Sequence, residues 1–220
     1  MKYKSKRIAT LMMVMIMGST QSISASVIQQ PEVVYYNQAD YPGEMYGTST
    51  IQSAGCAPCA MAVCISSFTK EHVSVPKLCE WAVEHGYYYS GMGSSHYIIP
   101  ALAKKYDLNC EAIGRDREKM VGALYSGKFV VVLMGPGTFA STGHFMVLTG
   151  IDEKGKISVA DVGSRANTTK KFSVDKIMEE LKDYSQAGGP MWVVSSKDET
   201  EISGASQIAI ETLTQRYSEE

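Results

Sequence analysis

Polar and apolar positions change texture twice along the chain. Val27–Thr50 is polar and turn-rich, apart from a strand-like VVYY at 33–36. Cys56–Phe68 (CAPCAMAVCISSF) then has almost no polar face, which predicts a buried helix. Pro58 sits in its first turn, where a missing N–H is tolerated, and Gly55 lets the backbone bend into it. Apolar residues spaced at three and four predict a second helix over Val75–His85, followed by a Gly/Tyr/Ser loop over Gly86–Ser95. Tyr97–Tyr106, with Pro100 near its start, and Arg115–Ser126 read as two more helices. From there the period shortens. Lys128–Met134 (KFVVVLM) is a continuous β-branched run, the mark of a buried strand. His144–Ile151 and Lys156–Val162 follow as strands joined by the turn at 152–155. Ser173–Tyr184 reads as a helix capped by Ser173, and Met191–Ser195 as a last strand. Helices first and an antiparallel sheet second is an α+β arrangement. Residues 197–220 are polar, with an amphipathic stretch near Ala205–Leu213, and fit either a docked helix or a loose tail.

The N-terminus follows another pattern. Lys2, Lys4, Lys6 and Arg7 precede the apolar Ile8–Gly18, and small polar residues follow to Ser26. The apolar run is shorter than the ~20 residues of a membrane-spanning helix, so residues 1–25 read as a secretory signal peptide. Residues 26–196 are then one exported domain with no membrane segment after cleavage, expected to be secreted and monomeric. Those four cations belong to a total of 21 basic against 23 acidic residues, and no acid precedes Glu32. The remainder is net acidic, which excludes a nucleic-acid binder.

Five cysteines remain: Cys56, Cys59, Cys64, Cys79 and Cys110. Export permits disulfides, but an odd count leaves one thiol over. Whether Cys79 pairs with Cys59, Cys64 or Cys110 stays open. Cys56 begins the buried helix, where unpaired N–H groups and the helix dipole lower a thiol pKa. His144 opens a strand, and Asp161 lies near the end of the next one across a tight hairpin. A thiol, an imidazole base and an orienting carboxylate are the parts of cysteine-based acyl transfer. Cys64 reads as a core residue, His72 and His85 as helix-surface or packing residues, and His96 as a loop residue near the cleft.

The stretch YYNQADYPGEMYGTSTIQSAGCAPCAMAV resembles the leading segment of secreted bacteriocin-leader (double-glycine) peptidase-like enzymes. These form family thirty-nine of the cysteine peptidases, in the papain-like superfamily. GHFMVLTGID resembles that family's strand with the base, VADVGS the strand with the carboxylate, and SGMGSSHYIIPALAKKYDLNC the loop and helix between. The similarity covers about residues 35–195. It implies a papain-like α+β fold, with the central helix packed on an antiparallel sheet. It assigns Cys56 as nucleophile, His144 as base, Asp161 as orienter and Gln38 as side-chain donor to the oxyanion hole, with Gln52 as a rival for that last role. Ala57 and Val162 depart from the usual Gly and Pro without removing a reacting group. The resemblance implies peptide, protein or amide substrates and no metal or cofactor; cell-wall peptides, host proteins and small amides all stay open.

Two other classes compete. Cys56-Ala57-Pro58-Cys59 is a Cys-x-x-Cys, as in thioredoxin-like oxidoreductases, but polar sequence precedes it where a buried strand is required. A catalytically silent peptide-binding module is the other. A zinc site on Cys56, Cys59 and Cys64 is disfavoured, because those positions on one helix do not converge on a metal.

Overall fold

A six-stranded antiparallel sheet with helices on both faces carries everything else in the molecule. The structure, a computed structural model, describes residues 30–198 and 204–218. Residues 1–25, expected to be a signal peptide, lie outside the described residues.

A 3-10 turn at Gln38–Asp40 opens the ordered elements. Strands β1 (Met45–Tyr46) and β2 (Ser49–Thr50) form a small hairpin that runs into the single turn of α1 (Ile51–Ala54). Helix α2 (Cys56–Thr69) follows Gly55 directly, and its residues 57–67 are buried. Helix α3 (Val75–Glu84) is capped by Ser74, whose side chain accepts from the Lys77 N–H. A second hairpin, β3 (Tyr88–Tyr89) and β4 (Gly93–Ser94), precedes α4 (Ile98–Lys105).

The large sheet begins at β5 (Leu108–Gly114). It continues through α5 (Arg117–Tyr125), β6 (Phe129–Met134), β7 (His144–Ile151) and β8 (Lys156–Ala160). Then come α6 (Arg165–Thr168), β9 (Lys171–Ser173), α7 (Val174–Glu179) and β10 (Met191–Ser196). Helix α8 (Gly204–Ser218) completes the described chain. The strand order is β5-β10-β6-β7-β8-β9, all antiparallel, so the last strand lies inside the sheet.

Alternation along β6 explains its unbroken apolar run. Phe129, Val131 and Leu133 join the core under α2, α3 and α4, while Val130, Val132 and Met134 face α5 and α7 on the other side. Trp192 on β10 is fully buried in the first core, and its indole N–H donates to the Ala187 carbonyl at 2.9 Å. Helix α8 docks along α5: Ile210 is buried, and the Arg117 Nε–H bonds the Tyr217 carbonyl at 2.8 Å. Within the C-terminal segment, the described residues 204–218 form this helix.

Most expected elements appear within a residue or two, and the exceptions have physical causes. The helix over Ser173–Tyr184 stops at Glu179, because Leu181 bridges to Met134 at the end of β6 and the Gly135 N–H takes the Glu180 carbonyl. Residues 33–36 form no strand. Their backbone and side chains bond α2 instead, Val34 N–H to Ser67 Oγ at 2.9 Å and Tyr36 Oη with Ser66 Oγ at 2.8 Å. Strand β5 was not expected at all: it is an edge strand with Asn109 and Glu111 exposed, so its sequence shows no apolar run. All five cysteines are free thiols.

Truncating Trp192 to Ala empties the centre of the helix-side core. We expect a loss of about 3–5 kcal/mol of unfolding free energy, read from the urea midpoint at unchanged slope. A loss below about 1 kcal/mol shows the site refilled by its neighbours.

Candidate active site

The start of α2 meets the start of β7. Gly55 makes this approach possible: its N–H donates to the Ile51 carbonyl at 2.8 Å. A Cβ on it would fall 2.7 Å from both that oxygen and the Ile51 side chain, so any larger residue forces α1 and α2 apart. Cys56 is thus the first residue of a 14-residue helix whose leading N–H groups have no intrahelical partner.

Its sulfur is hydrogen-bonded to the His144 side chain and receives the backbone N–H groups of Phe145 and Ala57. Burial alone pushes the thiol pKa up, but the His144 hydrogen bond and charge, with the two N–H groups, bring it below the ordinary thiol value. His144 Nε2 lies 2.8 Å from Asp161 Oδ1, which leaves Nδ1 for the sulfur. Burial works to lower the imidazole pKa; the Asp161 hydrogen bond and the Cys56 sulfur outweigh it and hold the ring at about 9. Both shifts favour the thiolate–imidazolium form of the pair.

Asp161 is almost fully buried, just beyond β8. Ladder pairing does not bring it to His144, since the register sets Ala160 opposite Val147. The chain leaves the ladder at Asp161 and turns. The Gly163 N–H donates to Oδ1 at 3.0 Å and Asn167 Nδ2 to Oδ2 at 2.8 Å. Burial raises this carboxyl, but the His144 hydrogen bond and then that of Asn167 carry it below the usual carboxylate range. Asn167, on α6, is a site residue the sequence reading missed. The Ser164 cap of that short helix, whose side chain accepts the Asn167 N–H at 3.2 Å, is the local signal that places it.

The segment at 35–38 stitches this corner together. Tyr35 Oη donates to the Asp161 carbonyl at 2.7 Å, Asn37 Nδ2 to Tyr35 Oη at 2.7 Å, and the Gln38 N–H to the Val162 carbonyl at 2.8 Å. Gln38 is buried, and its Nε2 donates to the carbonyls of Ile51 at 3.0 Å and Gln52 at 3.2 Å, in the turn before Cys56. Gln52, the rival, is exposed and enters only through that carbonyl.

The other cysteines are of another kind. Burial raises the thiols of Cys59 and Cys64 far above the ordinary value, Cys79 to about 12 and Cys110 to about 11. Cys59 is fully buried, which denies it the access thiol–disulfide exchange requires. Among the described residues no three His, Cys, Asp or Glu side chains converge on a metal position. Beside Cys56 opens a cleft of about 610 Å³, bounded by Ser53 and Ala54, the glycine-rich β3–β4 hairpin, His96, and Thr142, Gly143 and Lys182. His96 thus stands in the cleft wall, whereas His85 bonds its own helix at the Trp81 carbonyl.

Iodoacetamide at pH 6 is expected to label Cys56 much faster than the other four thiols; equal labelling of all five removes the ion pair. Gly163 supplies a second test. A Cβ there would lie 3.0 Å from His144 Cε1, so Gly163→Ala presses on the ring. We expect roughly tenfold slower labelling of Cys56 in that variant, because small misplacements of reacting groups are costly. An unchanged rate shows that the loop gives way instead.

No curated protein sequence matches this chain. One similar solved structure is the peptidase domain of Streptococcus ComA, described as a bi-functional ABC transporter involved in a quorum sensing pathway. It has 15% identity and a TM-score of 0.49, over 66% of this chain and 93% of that one. Another is a double glycine motif protease from an AMS/PCAT transporter in complex with the leader peptide, at 15% identity and a TM-score of 0.43, over 77% and 94%. The Peptidase_C39 like family matches residues 30–191. With that match covering most of its length, the chain belongs to the Peptidase_C39 like family, and it is a cysteine peptidase.

Proposed function

We propose that the protein is an exported peptidase that hydrolyses peptide or amide bonds through Cys56, His144 and Asp161. The observation that carries this reading is the hydrogen-bonded chain from the Cys56 sulfur through the His144 ring to Asp161 Oδ1. The thiolate attacks the substrate carbonyl carbon and forms a C–S bond, while the carbonyl oxygen becomes an oxyanion. The His144 imidazolium then gives its proton to the leaving amine, and collapse to a thioester breaks the C–N bond. Neutral His144 next takes a proton from water, whose oxygen attacks the thioester and releases the acid. Collapse of the second tetrahedral intermediate breaks the C–S bond, so the sulfur leaves as thiolate and the ring keeps the water's proton, as at the start. Asp161 fixes the tautomer and steadies the charge on the ring.

The oxyanion hole we assign to the Cys56 backbone N–H and Gln38. A developing oxyanion is a stronger acceptor than a neutral carbonyl, so Gln38 turns one N–H from its longer bond, at 3.2 Å to Gln52, toward the substrate. The basic, then apolar, leader supports secretion, and an open cleft beside Cys56 supports peptides as substrates.

The test is cleavage of a peptide library by the wild type and by Cys56→Ala; persistent cleavage by the variant overturns the assignment. His144→Ala should keep the fold, seen by circular dichroism, and slow iodoacetamide labelling of Cys56 at pH 6 by at least about tenfold, as the thiol returns toward ~8.5. Activity requires the imidazolium, so the alkaline limb of kcat/KM should fall as pH rises through about 9, where His144 loses its proton. A limb that stays flat to pH 10 excludes His144 as the proton donor.

A further inference from the structure

The cleft wall holds a fixed cation that the acyl-transfer reading does not use. Lys182 is half-buried, and its backbone N–H is anchored on the Leu133 carbonyl at the end of β6, 2.9 Å away. Its Nζ donates to the Thr142 carbonyl at 2.7 Å and lies over Gly143, where a Cβ would come within 3.2 Å of it. Gly143 directly precedes His144, so the ammonium sits one residue from the proposed base. Two of its three N–H bonds remain available beyond Thr142. Nearby acids are turned elsewhere: Glu180 accepts from Thr138 and Lys176, and Asp183 is fully exposed beside Arg115 at 3.7 Å. No Asp or Glu is among the described residues that line the cleft.

His96 lines the same cleft. Its Nδ1 accepts the Gln186 N–H at 2.8 Å, which leaves the ring proton on Nε2 as a donor. The ring is wedged edge-on against Phe145 and Trp192, with centroids 5.6 and 6.5 Å away. Burial, and then the charge of Lys182, hold His96 below the ordinary imidazole value and so neutral. An ammonium beside a fixed neutral N–H donor, with no acid to neutralise them, is a receptor for a carboxylate.

We propose that Lys182 and His96 form a carboxylate subsite in the cleft, selecting peptides with an acidic side chain or a free C-terminal carboxylate beside the bond cleaved. This rests on the peptidase reading above and names its substrate class.

Iodoacetate and iodoacetamide differ in little but charge. The ratio of their alkylation rates at Cys56 therefore cancels any change in the thiolate itself, and variants at Lys182 separate its pull from that of His144. At pH 6 and low salt, the iodoacetate-to-iodoacetamide ratio is expected to fall at least about threefold in Lys182→Met and further in Lys182→Glu, with Lys182→Arg holding it near wild type. A ratio that Met and Glu leave unmoved overturns the subsite. A wild-type Cys56 inert to both reagents overturns the thiolate reading instead, and the subsite falls with it. The source of the carboxylate is read by protection of Cys56 from iodoacetamide with three tetrapeptide pools: amidated Glu-containing, free-acid Gln-containing, and amidated Gln-containing. Protection by the first assigns a side chain and by the second a chain terminus. Equal protection by all three overturns the proposal.

Discussion

Cys56, His144 and Asp161 share a partly buried corner, and the contacts around them favour the charged form of each. Removing charges from water is expensive unless each finds partners. Here the sulfur is met by two backbone N–H groups and an imidazolium, and the ring by a carboxylate that itself accepts from Gly163 and Asn167. Each link holds the next in its ionised form. The chain is directional: it begins at the positive end of α2 and finishes on an aspartate whose oxygens are all engaged.

Such an arrangement demands that two halves of the molecule stay in fixed relation. The sulfur belongs to the helical half, the ring and carboxylate to the sheet. Packing of α2 on β7 through the common core supplies most of that rigidity. The segment at 34–38 supplies the rest, since it is bonded to α2 through Val34 and Tyr36 and to the Asp161 turn through Tyr35 and Gln38. The ion pair of Arg165 with Asp40 adds a further tie on the outside.

What the sequence disclosed follows from how local each signal is. Helix α2 and strand β6 are buried on all sides, so their composition alone marks them, and Cys56 and His144 stand at element starts flagged by glycine. The partnership of His144 with Asp161 was legible through family motifs, though not by cross-strand pairing, because the turn at Asp161 leaves the ladder. Strand β5 escaped because one edge and much of its face meet water. Asn167 and Lys182 escaped for another reason. The Ser164 cap marks the short helix that carries Asn167 but not its partner, nothing in a short window marks Lys182, and only the path of the chain after β8 and α7 brings them to the corner.

The position of β10 has a consequence for how the enzyme comes into being. Strands β5 and β6 are made early, yet neither bonds the other; each must wait for residues 191–196 to slot between them. Until that final strand emerges, Trp192 is missing from beneath Phe145, and the wall that carries His144 has no floor. A chain that stops short of residue 191 therefore lacks the strand that joins β5 to β6 and the ring that Phe145 packs against.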